Sequence, residues 1–230
     1  GLGVSPTFHS AQRNDAPTCS FCHNTNRVNG GWAVNAKDIV HAIHSGSKRT
    51  VPFSWHGEIK AWEVTYPGVL NNCGQCHVDG SYDFSASASA KAMTSLLYST
   101  AAQGIYKSAP TAPATIGPYL SPYITADTAN YGVGFATSNQ TSGTRNGVAC
   151  TTAAPCVCST AAPCGAEGAT LVHSPITAAC ASCHDSATAK KHFADNDGSF
   201  YAPRSTALAK QESCMMCHGP GKIAAIAQVH

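Results

Sequence analysis

The sequence predicts a mostly irregular fold, built of loops and short α-helices with little β-sheet and wrapped around groups that are not polypeptide. Three observations predict it. The pattern Cys-x-x-Cys-His occurs four times, at Cys19/Cys22/His23, Cys73/Cys76/His77, Cys180/Cys183/His184 and Cys214/Cys217/His218. Charged residues are only 11% of the chain, while Gly, Pro, Ser, Thr and Ala abound. The best helix in the sequence is short, spanning residues 35–46.

Cys-x-x-Cys-His is the attachment signature of a c-type haem. The two thiols add across the two vinyl groups of the macrocycle. The histidine that follows supplies the proximal nitrogen of the iron. A zinc or redox Cys-x-x-Cys pair needs no trailing histidine. With 11 histidines in 230 residues, four such histidines do not arise by chance. Four covalent haems therefore supply much of the apolar interior, and the chain should not fold without them. The formal charge of +2 omits the haem propionates, which move the balance toward negative. No basic cluster suggests nucleic acid. We read residues 1–230 as a single tetrahaem domain.

Residues 1–18 read as an extended N-terminal arm, because Pro6 and Pro17 oppose a helix. Residues 19–80 hold haems 1 and 2. Within them, Asn35 can cap the helix over residues 35–46, Asp38 sits at its third position and Gly46 can close it. His41 and His44 then project from one face and reach two different irons, with Ile39, Val40 and Ile43 packing around them. Phe53, Trp55, Trp62 and Tyr66 are expected on haem faces and edges. Residues 81–170 form a Ser/Thr/Ala/Gly-rich coat, with a helix expected around Leu96 and Leu97 and a turn-rich loop after it. Residues 171–230 hold haems 3 and 4. His192 falls in a short helix and His230 ends the helical stretch 221–230.

An electron-transfer haem normally has a second axial ligand, His or Met. Met215 and Met216 lie inside the fourth motif and do not reach over their own haem, which leaves Met93. Seven histidines remain after the four proximal ones, so all four haems can be bis-histidine. The ranking is His41, His44, His192 and His230, then His9, with His173 and His56 behind. His9, on the arm, could instead reach a haem of a neighbouring subunit. A head-to-tail contact of that kind builds a filament if its rotation does not close.

Cys150, Cys156, Cys158 and Cys164 are left over from the motifs, an even number that suggests two disulfides in an oxidising compartment. Cys156 and Cys158 do not suit pairing with each other across one residue. Pairing 150–156 with 158–164, or 150–158 with 156–164, remains. The chain opens at Gly1 without Met or an anchoring cysteine, and no stretch reaches the roughly 20 apolar residues of a membrane span. The expectation is an exported protein, extracellular or at the cell surface, with the periplasm as alternative.

Several stretches resemble the MtrC/OmcA-type cell-surface multihaem cytochromes of metal-respiring bacteria. They are DIVHAIHSG, VTYPGVLNNCGQCH, HSPITAACASCHDSATAKKHF and SCMMCHGPGKIAAIAQVH, in the same order along the chain. The resemblance implies that His41, His44, His192 and His230 are distal ligands. That family carries many more haems, in two haem domains alternating with β-barrel domains, and is lipid-anchored. This chain is similar to one haem module standing alone. In size, haem number and export it is also similar to the OmcE-like tetrahaem cytochromes that polymerise into conductive filaments. The implied function is electron hopping along bis-histidine haems, as a homopolymeric filament subunit, with no substrate chemistry. Other cytochromes would donate electrons, and a mineral, an electrode or another cytochrome would accept them. A soluble shuttle is the alternative. A multihaem reductase would need an iron with an open position.

Overall fold

The computed structural model describes residues 9, 16–29, 31–55, 60–85, 97–102, 121, 123, 144–145, 148–149, 151, 153 and 171–230. Every regular element among them is short. The first helix, α1 (Ala16–Cys22), already contains the thiols of the first motif. Its Pro17 was expected to keep the arm extended. It instead occupies the first turn, where its missing N–H removes no helical hydrogen bond.

A two-residue hairpin follows, β1 (Val28–Asn29) against β2 (Trp32–Ala33). It delivers Trp32 and Val34 to the core beside helix α2 (Ala36–His44). Helix α2 starts as the sequence implies. The Asn35 side chain accepts the Asp38 N–H at 3.1 Å, and Asn35 Nδ2 donates to Asp38 Oδ2 at 2.7 Å. It ends differently. Ser45 is the C-cap and Gly46 follows it, but without the left-handed backbone of a terminating glycine, and it opens a 3₁₀ turn, Gly46–Lys48. A Cβ on Gly46 would lie 2.2 Å from the Ala61 carbonyl oxygen. The glycine is there for close backbone approach, not for helix termination. Ile39 and Ala42 turn inward, while Val40 faces out instead of packing.

The first core cluster joins Trp32, Val34, Ile39, Ala42, Phe53 and Ala61. Phe53, expected on a haem, is buried in this cluster edge-on to Trp32, with ring centroids 5.0 Å apart. The second cluster, Ala33, Ala101, Ala102, Leu171 and Tyr201, is centred on a three-stranded antiparallel sheet. Its middle strand is β6 (Leu171–His173), flanked by β3 (Ser99–Ala102) and β7 (Ala202–Pro203). The β3–β6 register shifts between Thr100 and Ala102. Strand β3 takes Ser99–Ala101, the end of the segment expected to be helical around Leu96 and Leu97. Small side chains let both of its faces be buried. A further hairpin pairs β4 (Thr144–Arg145) with β5 (Val148–Ala149).

Further α-helices of the described residues lie between 175 and 229. They are α3 (Pro175–Ala181), α4 (Ala187–Asp195), α5 (Arg204–Leu208), α6 (Met215–His218) and α7 (Ile226–Val229). Pro175 opens α3, and the Ser186 hydroxyl caps α4 by accepting the Ala189 N–H at 3.2 Å. The helical stretch expected over 221–230 shrinks to Ile226–Val229, after turns through Gly221. Among the described residues, no helix is long and apolar enough to cross a membrane.

Candidate functional site

All four Cys-x-x-Cys-His motifs fold the same way. In each, the histidine N–H donates to the carbonyl of the first cysteine: His23 to Cys19 at 2.8 Å, His77 to Cys73 at 2.9 Å, His184 to Cys180 at 2.8 Å and His218 to Cys214 at 2.9 Å. One α-helical turn thus places two thiols and an imidazole around one space. The repeat in sequence is a repeat in backbone geometry, although its settings are helical, 3₁₀ or the end of a helix.

Each motif histidine faces a second histidine from elsewhere in the chain. Ring centroids are 6.3 Å apart for His23 and His9, and 5.9 Å for His77 and His41. They are 5.6 Å apart for His184 and His230, and 6.0 Å for His218 and His192. Two imidazoles bound to opposite sides of one ion, each through a nitrogen at about 2 Å as on Zn²⁺, have centroids roughly 6 Å apart. The four pairs match that spacing. For His184 and His230 the Nε2 atoms face each other at 3.3 Å, and the two rings would part slightly to hold an iron between them.

The remaining ring nitrogens support the same chemistry. His23 Nδ1 bonds the Val34 carbonyl at 2.6 Å and His218 Nδ1 the Ala224 carbonyl at 2.9 Å. A metal-bound imidazole typically donates its other N–H in this way, which fixes the tautomer and leaves Nε2 for the metal. Burial, then the proximity of His77, holds the His41 pKa below its usual value. Burial, then His230, does the same for His184. Neutral imidazoles are the ligating form.

No disulfide joins any of the eight motif cysteines. Cys19, Cys22, Cys76 and Cys217 are exposed, while Cys73, Cys180, Cys183 and Cys214 are partly buried. In the second and fourth motifs the second cysteine, Cys76 or Cys217, is thus the more open of the two. The Cys217 N–H donates to the Cys214 carbonyl at 3.2 Å, and the Cys217 carbonyl accepts the Ala224 N–H at 3.0 Å. Its backbone is held on both sides, and its side chain stands at the surface, where a macrocycle has access to it.

Burial marks out thiols of the third and fourth motifs. Burial pushes the Cys180 thiol up to about 12 and the Cys214 thiol up to about 11, with nearby acidic groups adding to both. Among the described residues, no cluster of three or more His, Cys, Asp or Glu could hold a metal ion by itself. A haem needs only the two imidazoles, because its own nitrogens complete the iron.

Apolar side chains also stand open beside the motifs. Phe21 (80% exposed) and Met216 (74%) lie inside the first and fourth motifs, Val78 (72%) follows the second, and Ile223 (93%) lies between His218 and His230. A large apolar ring seated between the paired histidines would cover such surface. The residues present therefore fit four covalent haems.

The other candidates are placed differently. His44 is exposed. Its Nδ1 bonds the Val40 carbonyl at 2.8 Å and its ring meets Tyr66 edge-on at 5.4 Å, with no motif histidine facing it among the described residues. Tyr66 Oη also lies 3.9 Å from Cys76 Sγ, and the Trp55 ring is 6.3 Å from His23. His173 is buried in the core, stacked 4.7 Å from Phe200, with Nδ1 3.0 Å from Asp38 Oδ1. His56, Met93, Cys150, Cys156, Cys158 and Cys164 lie outside the described residues.

Two networks with no sequence signature tie the motifs to their surroundings. Glu212, two residues before Cys214, clasps the start of α3, which carries Cys180. Its Oε1 accepts from Ser174 Oγ at 2.5 Å, Thr177 N at 2.8 Å and Thr177 Oγ1 at 2.7 Å, and its Oε2 from Ile176 N at 2.8 Å. Asp185, next to His184, accepts from Thr50 N at 2.7 Å and Val51 N at 2.8 Å and pairs with Arg49 at 3.4 Å. The third motif is thereby fixed on one side to the fourth and on the other to residues 49–51, after the 3₁₀ turn that follows α2. A lone Glu or Asp beside a motif carries no spacing signal, so these clasps appear only in three dimensions.

Neither a curated protein nor a solved structure matches the chain. A family does, described as "Outer membrane cytochrome MtrC/MtrF-like, domains II/IV", over residues 4–116 and 124–230. Nearly the whole chain is covered, in agreement with the paired histidines and the four repeated motifs. The chain belongs to the MtrC/MtrF-like family of outer-membrane multihaem c-type cytochromes, electron-transfer proteins of the cell surface.

Proposed function

We propose that this chain is a four-haem conduit for extracellular electron transfer. Each motif holds one haem through two thioether bonds, and the facing histidine completes the iron. The pairs are His23 with His9, His77 with His41, His184 with His230 and His218 with His192. The observation that carries this reading is the spacing of those pairs, 5.6 to 6.3 Å in all four. The haem supplies the one-electron redox change. Two imidazoles would hold each iron, which would keep potentials below those of His/Met haems and leave no position for a substrate. A reductase, which needs an open iron, is disfavoured on the same ground. The helices and clasps hold the sites in fixed order, so electrons hop from one to the next. We take the fold to be loops, short helices and small sheets wrapped around the haems.

The finer reading is a filament subunit. His9 stands apart from α1 in sequence, on the N-terminal arm. An arm exchanged between copies would make the same His9–His23 pair across the contact. Such an exchange is head-to-tail and polymerises when its rotation does not close. The soluble shuttle remains the second reading, favoured by His9 meeting His23 of its own chain. Electron microscopy of the native protein separates them. The filament reading predicts uniform filaments that His9→Ala abolishes. Dispersed particles of single-chain size, under conditions that preserve assemblies, would leave the shuttle.

A further inference from the structure

We propose that the two charges of the buried Arg49–Asp185 ion pair act in opposite directions on the reduction potential of a haem at Cys180/Cys183/His184 and offset each other there. The inference rests on the haem reading of that motif.

Asp185 directly follows His184, and the Arg49 and Asp185 side chains are 3% and 1% exposed. Neither charge is free to swing into water. The Asp185 carboxylate is held by the Thr50 and Val51 amides as well as by Arg49. Arg49 Nε donates to the Val51 carbonyl at 3.0 Å, and its Nη1 donates to the Ser182 carbonyl, inside the loop between Cys180 and Cys183. Its guanidinium lies 6.0 Å from the Trp32 ring and 5.9 Å from the Phe53 ring. The pair is built into the attachment loop itself.

Stability alone does not explain the pair. Two charges taken out of water gain little over an apolar pair of the same volume, because desolvation offsets their attraction. Next to a redox centre they have another effect. Uptake of one electron lowers the charge of the site by one and transfers nothing else. A fixed positive charge favours the reduced state, and a fixed negative charge the oxidised one. In a buried setting solvent and salt screen this weakly. With both present the effects largely cancel, so the site keeps the potential that its two imidazoles impose. The other polar groups facing the pair do not replace either charge. Burial, then the Asp185 charge, pushes Tyr123 up to about 12, so it stays a neutral phenol. Across a cavity of about 20 Å³ lined by Arg49, Ser182 and Tyr123, the Asp38 carboxylate is already engaged with His173.

The test compares haem-loaded Arg49→Gln, Asp185→Asn and the double variant with the wild type. Haem content and the low-spin spectrum are read first. Fewer than four haems in the wild type would sink the haem reading, separately from this inference. Spectroelectrochemical titration then resolves the couples. Asp185→Asn should move one of four couples upward, Arg49→Gln should move the same couple downward, and the double variant should return it close to wild type. A merely structural role predicts that both single variants move in one direction, with the loss spread over several haems. That pattern, or no movement in either variant, overturns the proposal. If Asp185→Asn does not accumulate, Arg49→Gln must still lie below the double variant. Equal potentials in those two would overturn it as well.

Discussion

Removing the Glu212 carboxylate should loosen the joint between the third and fourth haem motifs by an amount that the structure bounds. Four hydrogen bonds end on it, two from backbone amides and two from hydroxyls. Ser174 and Thr177 are buried, so water cannot easily take over their donors. In Glu212→Ala each stranded donor costs about 1–3 kcal/mol, and the lost charge at the α3 N-terminus adds about 0.3–1 kcal/mol. Glu212 is only half-buried, so partial hydration offsets some of this, and the net cost is about 3–4 kcal/mol. Glu212→Gln should behave differently. A carbonyl oxygen at the Oε1 position keeps three of the four bonds. The amide group then meets the Ile176 N–H, donor against donor, and the cost falls to about 1–2 kcal/mol. Guanidinium unfolding of the haem-loaded variants, followed in the Soret band, measures both. A Glu212→Ala variant within about 1 kcal/mol of wild type would refute the reasoning. So would equal losses in the two variants, since the bonds would then not be the source.

Other perturbations should read out different parts of the structure. Removing one facing imidazole, as in His230→Ala, should give one high-spin iron in four and one carbon monoxide bound per reduced chain, while wild type binds none. Asp38 couples the fold to pH. Burial acts to raise its pKa, but His173, Lys37 and Asn35 outweigh that, and the folded value lies below the usual 3.8. Its contribution is therefore present above the unfolded value and is lost as pH falls through the folded one. Wild type should lose more stability between about pH 6 and about pH 3 than Asp38→Asn does, as measured by denaturant midpoints at each pH. Gly46→Ala should cost about 1–3 kcal/mol, because the new methyl would lie 2.2 Å from the Ala61 carbonyl and the backbone must shift. A midpoint unchanged from wild type would show that the turn gives way freely.

The four motifs were legible because Cys-x-x-Cys-His is a fixed string, and the structure gives each the same backbone turn. Two vinyl groups and one iron require Cys-x-x-Cys-His, and that string stands out in any sequence. Helix α2 was legible because Asn35 and Asp38 form a recognisable cap beside an apolar stripe. Which histidine meets which motif was not legible. His41 and His44 share one helix face, yet only His41 faces a motif histidine, and His9 meets His23 across fourteen residues of chain. Pairing depends on where loops return, and composition does not encode that. Phe53 and Gly46 were misread for a related reason. An aromatic ring has the same sequence signature on a haem and in a protein core, and a glycine after a helix has the same signature as cap and as close contact. The clasps at Glu212 and Asp185 left no local signal at all, because their partners are 35 to 38 and 134 to 136 residues away.

The central claim is that four haems each sit between two histidines. Electron paramagnetic resonance of the oxidised protein, with haem quantified as the pyridine complex of the same sample, tests it most directly. The expected result is four haems per chain, all low-spin, with no high-spin signal. Fewer than four haems, or a stoichiometric high-spin iron, would contradict it.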